Sequence, residues 1–246
     1  MRQLRKMISL ALTLALVVCL LASCTQKPDK LTARADEILS EKPYWVEMKV
    51  EYDSDDADML SAIYGMPATT MKVNVDGDKF TAKLALGETG ENYISYTYLN
   101  GVLYTVWSEN GVQTHNQEVF DSQKKAELVS SLGAGAGVEY DDFDTVEVES
   151  KGKVSIITCT QIKAEPLGAL ISSLEEQLKA VFEEATVGLY DATLQIEIDD
   201  DHYNVIILTC QYFITLPGDV SYSIDMTYSM KFHYEKELEI VAPSID

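Results

Sequence analysis

Positive charge is scarce in this chain: nineteen Lys and Arg stand against forty Asp and Glu, for a net charge of −21 over 246 residues. A nucleic-acid binder needs a cationic face for phosphate, so that class is excluded. Histidine is scarcer still, with three in all. His115 and His233 stand alone, and no G-x-S-x-G, H-E-x-x-H, Walker or dinucleotide glycine motif occurs. The expectation is therefore a protein that is not an enzyme and carries no cofactor or metal. Cysteine is limited to four residues, without C-x-x-C or metal-ligand spacing. What remains is an ordinary globular composition, 46% hydrophobic and 24% charged.

The N-terminus carries the clearest signal. Arg2, Arg5 and Lys6 precede an uncharged apolar run from Met7 to Ala22, the layout of a secretory leader. The run ends at Leu21-Ala22-Ser23-Cys24, which resembles the bacterial lipobox, whose cysteine is acylated, for instance with palmitate, and becomes the first mature residue. A permanent span would need a longer run and a stop-transfer charge cluster, and Thr25 to Asp29 supplies neither. Residues 1–23 are thus expected to be a signal peptide and 24–31 a tether, with residues 32–246 forming the folded domain on the extracytoplasmic face of the cell membrane. Removal of the leader takes three basic residues and no acidic ones, leaving 16 − 40 = −24. Such a chain is repelled by anionic lipid, so attachment rests on the acyl chains. Whether the envelope has one membrane or two is left open.

Beyond the tether, a helix is expected from Thr32 to Glu41, with Leu31, Ala35, Ile38 and Leu39 on one side and Pro43 beyond its end. From Trp45 the hydrophobic period changes to two. Strands read near 45–52, 71–75, 80–86, 93–99, 102–107, 146–149, 154–162, 191–198, 203–214 and 222–234, several joined by tight-turn pairs such as Asp76-Gly77 and Asn100-Gly101. The last is the cleanest: Tyr222, Ile224, Met226, Tyr228, Met230, Phe232 and Tyr234 fall on one face, with polar residues on the other. One dry and one wet face mark antiparallel sheet. Helices are also expected from Asp121 to Leu132 and from Leu167 to Ala185, and a helical turn near Asp58–Ile63. The fold class is α+β, mainly β: a curled antiparallel sheet, an incomplete barrel of about ten strands, covered on its concave side by two or three helices. A two-sheet sandwich is the rival arrangement.

This combination of lipobox, short helix, long meander with inserted helices, and the closing segment Tyr222 to Tyr234 followed by Leu238 to Pro243 resembles the LolA-like half-barrel lipoproteins, especially uncharacterised Gram-positive ones. The resemblance spans the mature chain as a pattern rather than as a motif. It implies a lipid or other hydrophobic small molecule held between sheet and helices. On the residues themselves, the Tyr/Met/Phe face reads either as ordinary core or as an adaptable apolar surface. The guest-binding candidates are Tyr222, Met226, Tyr228, Met230 and Phe232, with Leu174, Leu178 and Phe182 from the facing helix.

The other clusters read as structural. Asp53 to Asp58 lacks the glycine and distal glutamate of an EF-hand loop, and Asp199-Asp200-Asp201-His202 and Tyr140 to Asp144 read as solvated turns. Cys159 and Cys210 both fall in expected strands, compatible equally with a disulfide and with two small buried hydrophobes. Two functions remain, a carrier for a hydrophobic molecule and an envelope interaction or sensor module with a filled core. A two-lobed solute-binding protein is disfavoured, because alternating βα units are missing.

Overall fold

The computed structural model describes residues 30–56, 68–85, 91–120, 140–179, 182, 184–216, 220–234 and 239–243. Within them the chain forms helix α1 (Lys30–Glu41), then strands β1 (Tyr44–Asp53), β2 (Ala68–Asp76), β3 (Lys79–Ala85), β4 (Tyr93–Leu99), β5 (Val102–Glu109) and β6 (Val112–Val119). After a 3-10 turn at Tyr140–Asp142 come β7 (Phe143–Lys151), β8 (Val154–Ile162), helix α2 (Ala164–Lys179), β9 (Thr186–Asp199), β10 (His202–Leu216) and β11 (Val220–His233). The strands make one antiparallel sheet, ordered β6-β5-β4-β3-β2-β1-β11-β10-β9-β8-β7, which is curled and unclosed. It is two meanders joined back to back. β1 to β6 runs outward to one edge; β7 to β11 starts at the other edge and ends in the middle, where the first strand meets the last. Their register sets Met48 opposite Met230 and Val50 opposite Tyr228.

Local chemistry explains the joints. At Asn100-Gly101 and Asn110-Gly111 both turn residues have positive φ, the conformation that a tight hairpin matching strand twist requires and that Asn and Gly tolerate best. Asp200 and Asp201 do the same without glycine. Both sheet edges are polar: every residue of β6 but His115 is exposed, and β7 carries Asp144, Glu147, Glu149 and Lys151 outward. Charged, polar edge strands discourage pairing with other chains.

The core lies on one face. Val46, Met48 and Val50 of β1, Met226 to Phe232 of β11, Ile206 to Ile214 of β10, and alternate residues of β9 and β8 form a single buried cluster. α1 adds Ala35, which is 0% exposed, and leans Leu31 and Leu39 on the cluster. α2 adds Leu178, with Ile171 and Phe182 alongside. Both helices rest on β9, and α1 reaches β10 as well.

Several expectations are corrected. Among the described residues there are eleven strands where about ten were expected; the added one is β6, which the hydrophobic pattern does not announce. β9 begins at Thr186, not at 191, since the ladder continues through a bulge at Tyr190, between the pairs Gln211–Asp191 and Tyr212–Leu189. α2 occupies Ala164–Lys179, starting ahead of Pro166 and ending before Phe182, whose N–H still bonds the Leu178 carbonyl at 2.7 Å. Two helices appear among the described residues. The expected helix at 121–132 and the turn at 58–63 lie outside them, as do Cys24, the leader and nearly all of the tether. The disulfide is not formed: Cys159 and Cys210 are both free and buried. Cys159 pairs with Leu194 and Cys210 with Ala192, so β9 lies between them. Two strand spacings amount to about 10 Å, beyond the reach of a disulfide.

Candidate functional site

The guest-binding residues expected from sequence are brought together, but as packed interior. Tyr228 and Met230 are both 0% exposed, Met226 and Phe232 are buried, and only Tyr222 is half-buried. Met230 is flanked by Met48 and Ile206, and Tyr228 by Val50 and Leu208. Leu178 is buried and Phe182 half-buried against the same cluster; the side chain of Leu174 lies outside the described set. The centre of this stretch offers a guest no exposed surface. Burial pushes the Tyr228 phenol well above its ordinary pKa, and its hydroxyl is buried without a hydrogen-bond partner. Burial likewise holds the thiols of Cys159 and Cys210 at about 11 and about 12, so neither is a thiolate nucleophile at neutral pH.

The same face is different on the other half of the sheet. Cross-strand pairing runs Val75–Phe80–Tyr98–Leu103 in one row, Val73–Ala82–Tyr96–Thr105 in the next, and Met71–Leu84–Ile94–Trp107 in a third. Met71, Leu84, Ile94 and Leu103 are buried, whereas Phe80, Tyr96, Tyr98 and Trp107 are half-buried. The rings of Phe80 and Tyr98 stack with centroids 5.7 Å apart. Burial raises the Tyr96 phenol above its ordinary pKa. On β6 the rows end in Thr114, Asn116 and Glu118, opposite Trp107, Thr105 and Leu103, which gives the aromatic surface a polar rim. At the centre of the sheet Tyr44, opposite Val75, lies 6.4 Å from Phe232 and 6.5 Å from Tyr234, so the aromatic surface is continuous with the core. The half-buried aromatics were missed as site residues. The alternation places them on the apolar face, but only strand order reveals that the two described helices sit on β9 and β10 instead.

The acidic clusters are occupied within the chain. Lys153 Nζ donates to Asp200 at 2.8 Å, Arg34 lies 3.9 Å from Asp201, and His202 Nδ1 sits 2.7 Å from the Asp200 carbonyl. The Asp199–His202 turn thus fastens the β7–β8 turn and α1 to one corner of the sheet. The 3-10 turn at Tyr140–Asp142 is tied to Lys163, whose N–H bonds the Asp142 carbonyl at 2.7 Å. Among the described residues no group of three His, Cys, Asp or Glu is arranged to hold a metal. Nor is any described helix long and apolar enough to cross a membrane.

No family model and no curated protein matches the chain. Solved structures give slight similarity. A protein of unknown function from Pseudomonas aeruginosa, described as a probable thioesterase, is 10% identical over 36% of this chain and 83% of its own, with a TM-score of 0.11. The CurK dehydratase, as an inactive mutant, is 10% identical over 84% of this chain and 80% of its own, with a TM-score of 0.13. The outer membrane protein OprG from Pseudomonas aeruginosa is 9% identical over 78% and 95%, with a TM-score of 0.11. At such TM-scores none of them assigns a fold or an activity.

Proposed function

We propose that this chain is a lipid-anchored, extracytoplasmic binding protein for a lipid or other hydrophobic molecule, and that the guest lies on the half-buried aromatic part of the sheet rather than beneath the two described helices. The observation that carries this reading is the half-buried state of Phe80, Tyr96, Tyr98 and Trp107 on the very face that forms the core elsewhere. Aromatic rings beside buried aliphatic residues, with Thr, Asn and Glu at the rim, suit an amphiphile with an apolar body and a polar end. The LolA-like resemblance supports the same class of guest. The anchor at Cys24 would keep the domain beside a source of lipid. Nothing in the site calls for chemistry on the guest, so the role is binding or carriage.

The test uses residues 25–246, prepared without the anchor, and a fluorescent fatty acid as probe. Saturable binding is expected, lost or at least tenfold weaker in Trp107→Ala and Phe80→Ala, and unchanged in Tyr190→Ala, which removes an aromatic that is 72% exposed at the bulge. Absence of saturable binding, or equal weakening in all three, overturns the reading. A second reading, an envelope interaction module, is favoured by the filled core beneath both helices. It predicts a protein that never binds the probe yet is captured through the same aromatic surface by a protein partner.

A further inference from the structure

We infer that Asp36 and Tyr203 form a proton-dependent latch that fastens α1 to the sheet. Asp36 lies in the middle of α1, and Tyr203 is a buried residue near the start of β10, 167 positions further along the chain. The Tyr203 hydroxyl donates to Asp36 Oδ1 at 2.9 Å, and the Thr32 carbonyl, one turn earlier on α1, lies 3.5 Å from that hydroxyl. The other carboxyl oxygen, Oδ2, is buried and has no hydrogen-bond partner. A carboxylate held this way leaves half of its charge without a donor at a place where water is excluded, whereas the protonated acid puts less charge there.

The surroundings leave that charge uncompensated. On α1, Arg34 pairs with Glu37 and Asp201, and Glu41 lies within its field. Lys42, just beyond the helix, points its Nζ at His202 Nε2, 3.3 Å away. At the end of β10 where Tyr203 lies the ionisable groups are His202 and Tyr203, with Cys210 and Tyr212 farther along the strand; β9, also under α1, carries Tyr190, Asp191, Glu197 and Asp199, the last paired with His202 across the ladder. Beyond β11 stands Tyr234, and at the start of β1 stands Tyr44; burial holds both phenols neutral, and the Asp36 charge further disfavours ionising Tyr234. Burial raises the Asp36 carboxyl above its ordinary 3.8, and the Tyr203 hydrogen bond opposes part of that rise. The sign follows. The docked helix binds the Asp36 proton more tightly than the free chain does, so the extra stability is complete below the unfolded value and is lost as pH rises through the folded value. Acid tightens α1 on the sheet, and neutral conditions loosen it. Because α1 immediately follows the expected tether, the latch sits between anchor and sheet, and it does not depend on any guest.

The experiment follows the Asp36 carboxyl by carbon NMR in residues 25–246, together with amide exchange of residues 33–41, corrected for intrinsic rates, between pH 4 and 8. In the wild type the carboxyl is expected to titrate above 3.8, and α1 protection to fall across that titration by up to about tenfold for each unit of displacement. Asp36→Asn keeps an acceptor for Tyr203 and should make α1 protection flat with pH. Tyr203→Phe should move the Asp36 midpoint higher, because the donor that favours the carboxylate is gone. An Asp36 midpoint at or below 3.8, or an unchanged pH dependence in Asp36→Asn, overturns the latch. Should Tyr203→Phe fail to fold, the wild-type titration and Asp36→Asn decide the matter by themselves.

Discussion

The two halves of the sheet use one face in two ways. From β9 to β11 the strands are 14, 15 and 14 residues long, both helices lie on this side, and Tyr228 and Met230 are sealed from solvent. From β2 to β6 the strands are 7 to 9 residues long, and on β3 to β5 the same face holds the half-buried rings of Phe80, Tyr96, Tyr98 and Trp107 among buried Leu84, Ile94 and Leu103. The alternation that is strict in β11 also runs through β2 and β3, but it loosens in β5, where Val102, Tyr104 and Val106 fall on the other face, and it is lost in β6. What differs among the described residues is the helical cover, which lies on β9 and β10. Tyr228 and Tyr98 are chemically the same residue on the same face, yet one has its hydroxyl trapped without a partner and the other shares a stacked, accessible pair with Phe80.

The sharpest way to break this comparison is to truncate both tyrosines. Tyr228→Ala removes a fully enclosed ring and should cost about 3–5 kcal/mol in urea denaturation, the usual range for a large aromatic deleted from a packed core. Tyr98→Ala, which leaves solvent free to fill the gap, should cost no more than about 1.5 kcal/mol. Equal losses would mean that the halves are packed alike. Tyr228→Phe is the control: it deletes only a hydroxyl that has no partner, so stability should hold or rise slightly.

A smaller effect is expected on the outer face at Gly188. A Cβ there would meet the Phe213 ring, with Cζ 2.0 Å away and both Cε atoms within 2.7 Å. The ring lies flat on the glycine beside the bulge, with Tyr190 tilted against it at 5.0 Å. Gly188→Ala must swing the ring off, at a cost of about 1–3 kcal/mol. In a Phe213→Ala background the same substitution should be nearly free, a strong non-additivity that urea denaturation of the four proteins would read. Additive costs would mean that the backbone, and not the ring, requires glycine.

Much of this architecture is legible in the sequence because the signals are local. The alternation of 222–234, the Asn100-Gly101 turn and the stripe of Leu31, Ala35, Ile38 and Leu39 each act over a few residues, and each is where the pattern puts it. β6 escapes because six of its eight residues are polar: an edge strand has little face to bury, and only the Asn110-Gly111 turn betrays it. The state of the cysteines escapes for another reason. Both side chains point to the core, but their separation depends on β9 running between β8 and β10, and strand order is set by the whole sheet. The half-buried aromatic surface is hidden in the same way, since nothing near Phe80 or Trp107 tells which half the described helices cover.

The finest contrast lies between the helices themselves. Glu175 of α2 accepts the Val187 N–H through Oε1 at 3.2 Å and Lys179 Nζ through Oε2 at 3.2 Å, and these donors, the backbone first, hold its carboxyl below the usual glutamate value. Here the folded state prefers the ionised form. The stability that it adds is present above the unfolded value of 4.5 and is lost as pH falls through the folded one, the reverse of Asp36 on α1. Glu175 is partly solvated, so the effect should be small, no more than about 0.5 kcal/mol. Glu175→Gln keeps an acceptor for Val187 while removing the charge, and should flatten the acid limb of α2 protection in amide exchange while leaving that of α1 untouched. If α2 in Glu175→Gln loosens in acid as the wild type does, the tether to β9 is not electrostatic, and the opposite proton responses of the two helices cannot be assigned to these two carboxylates.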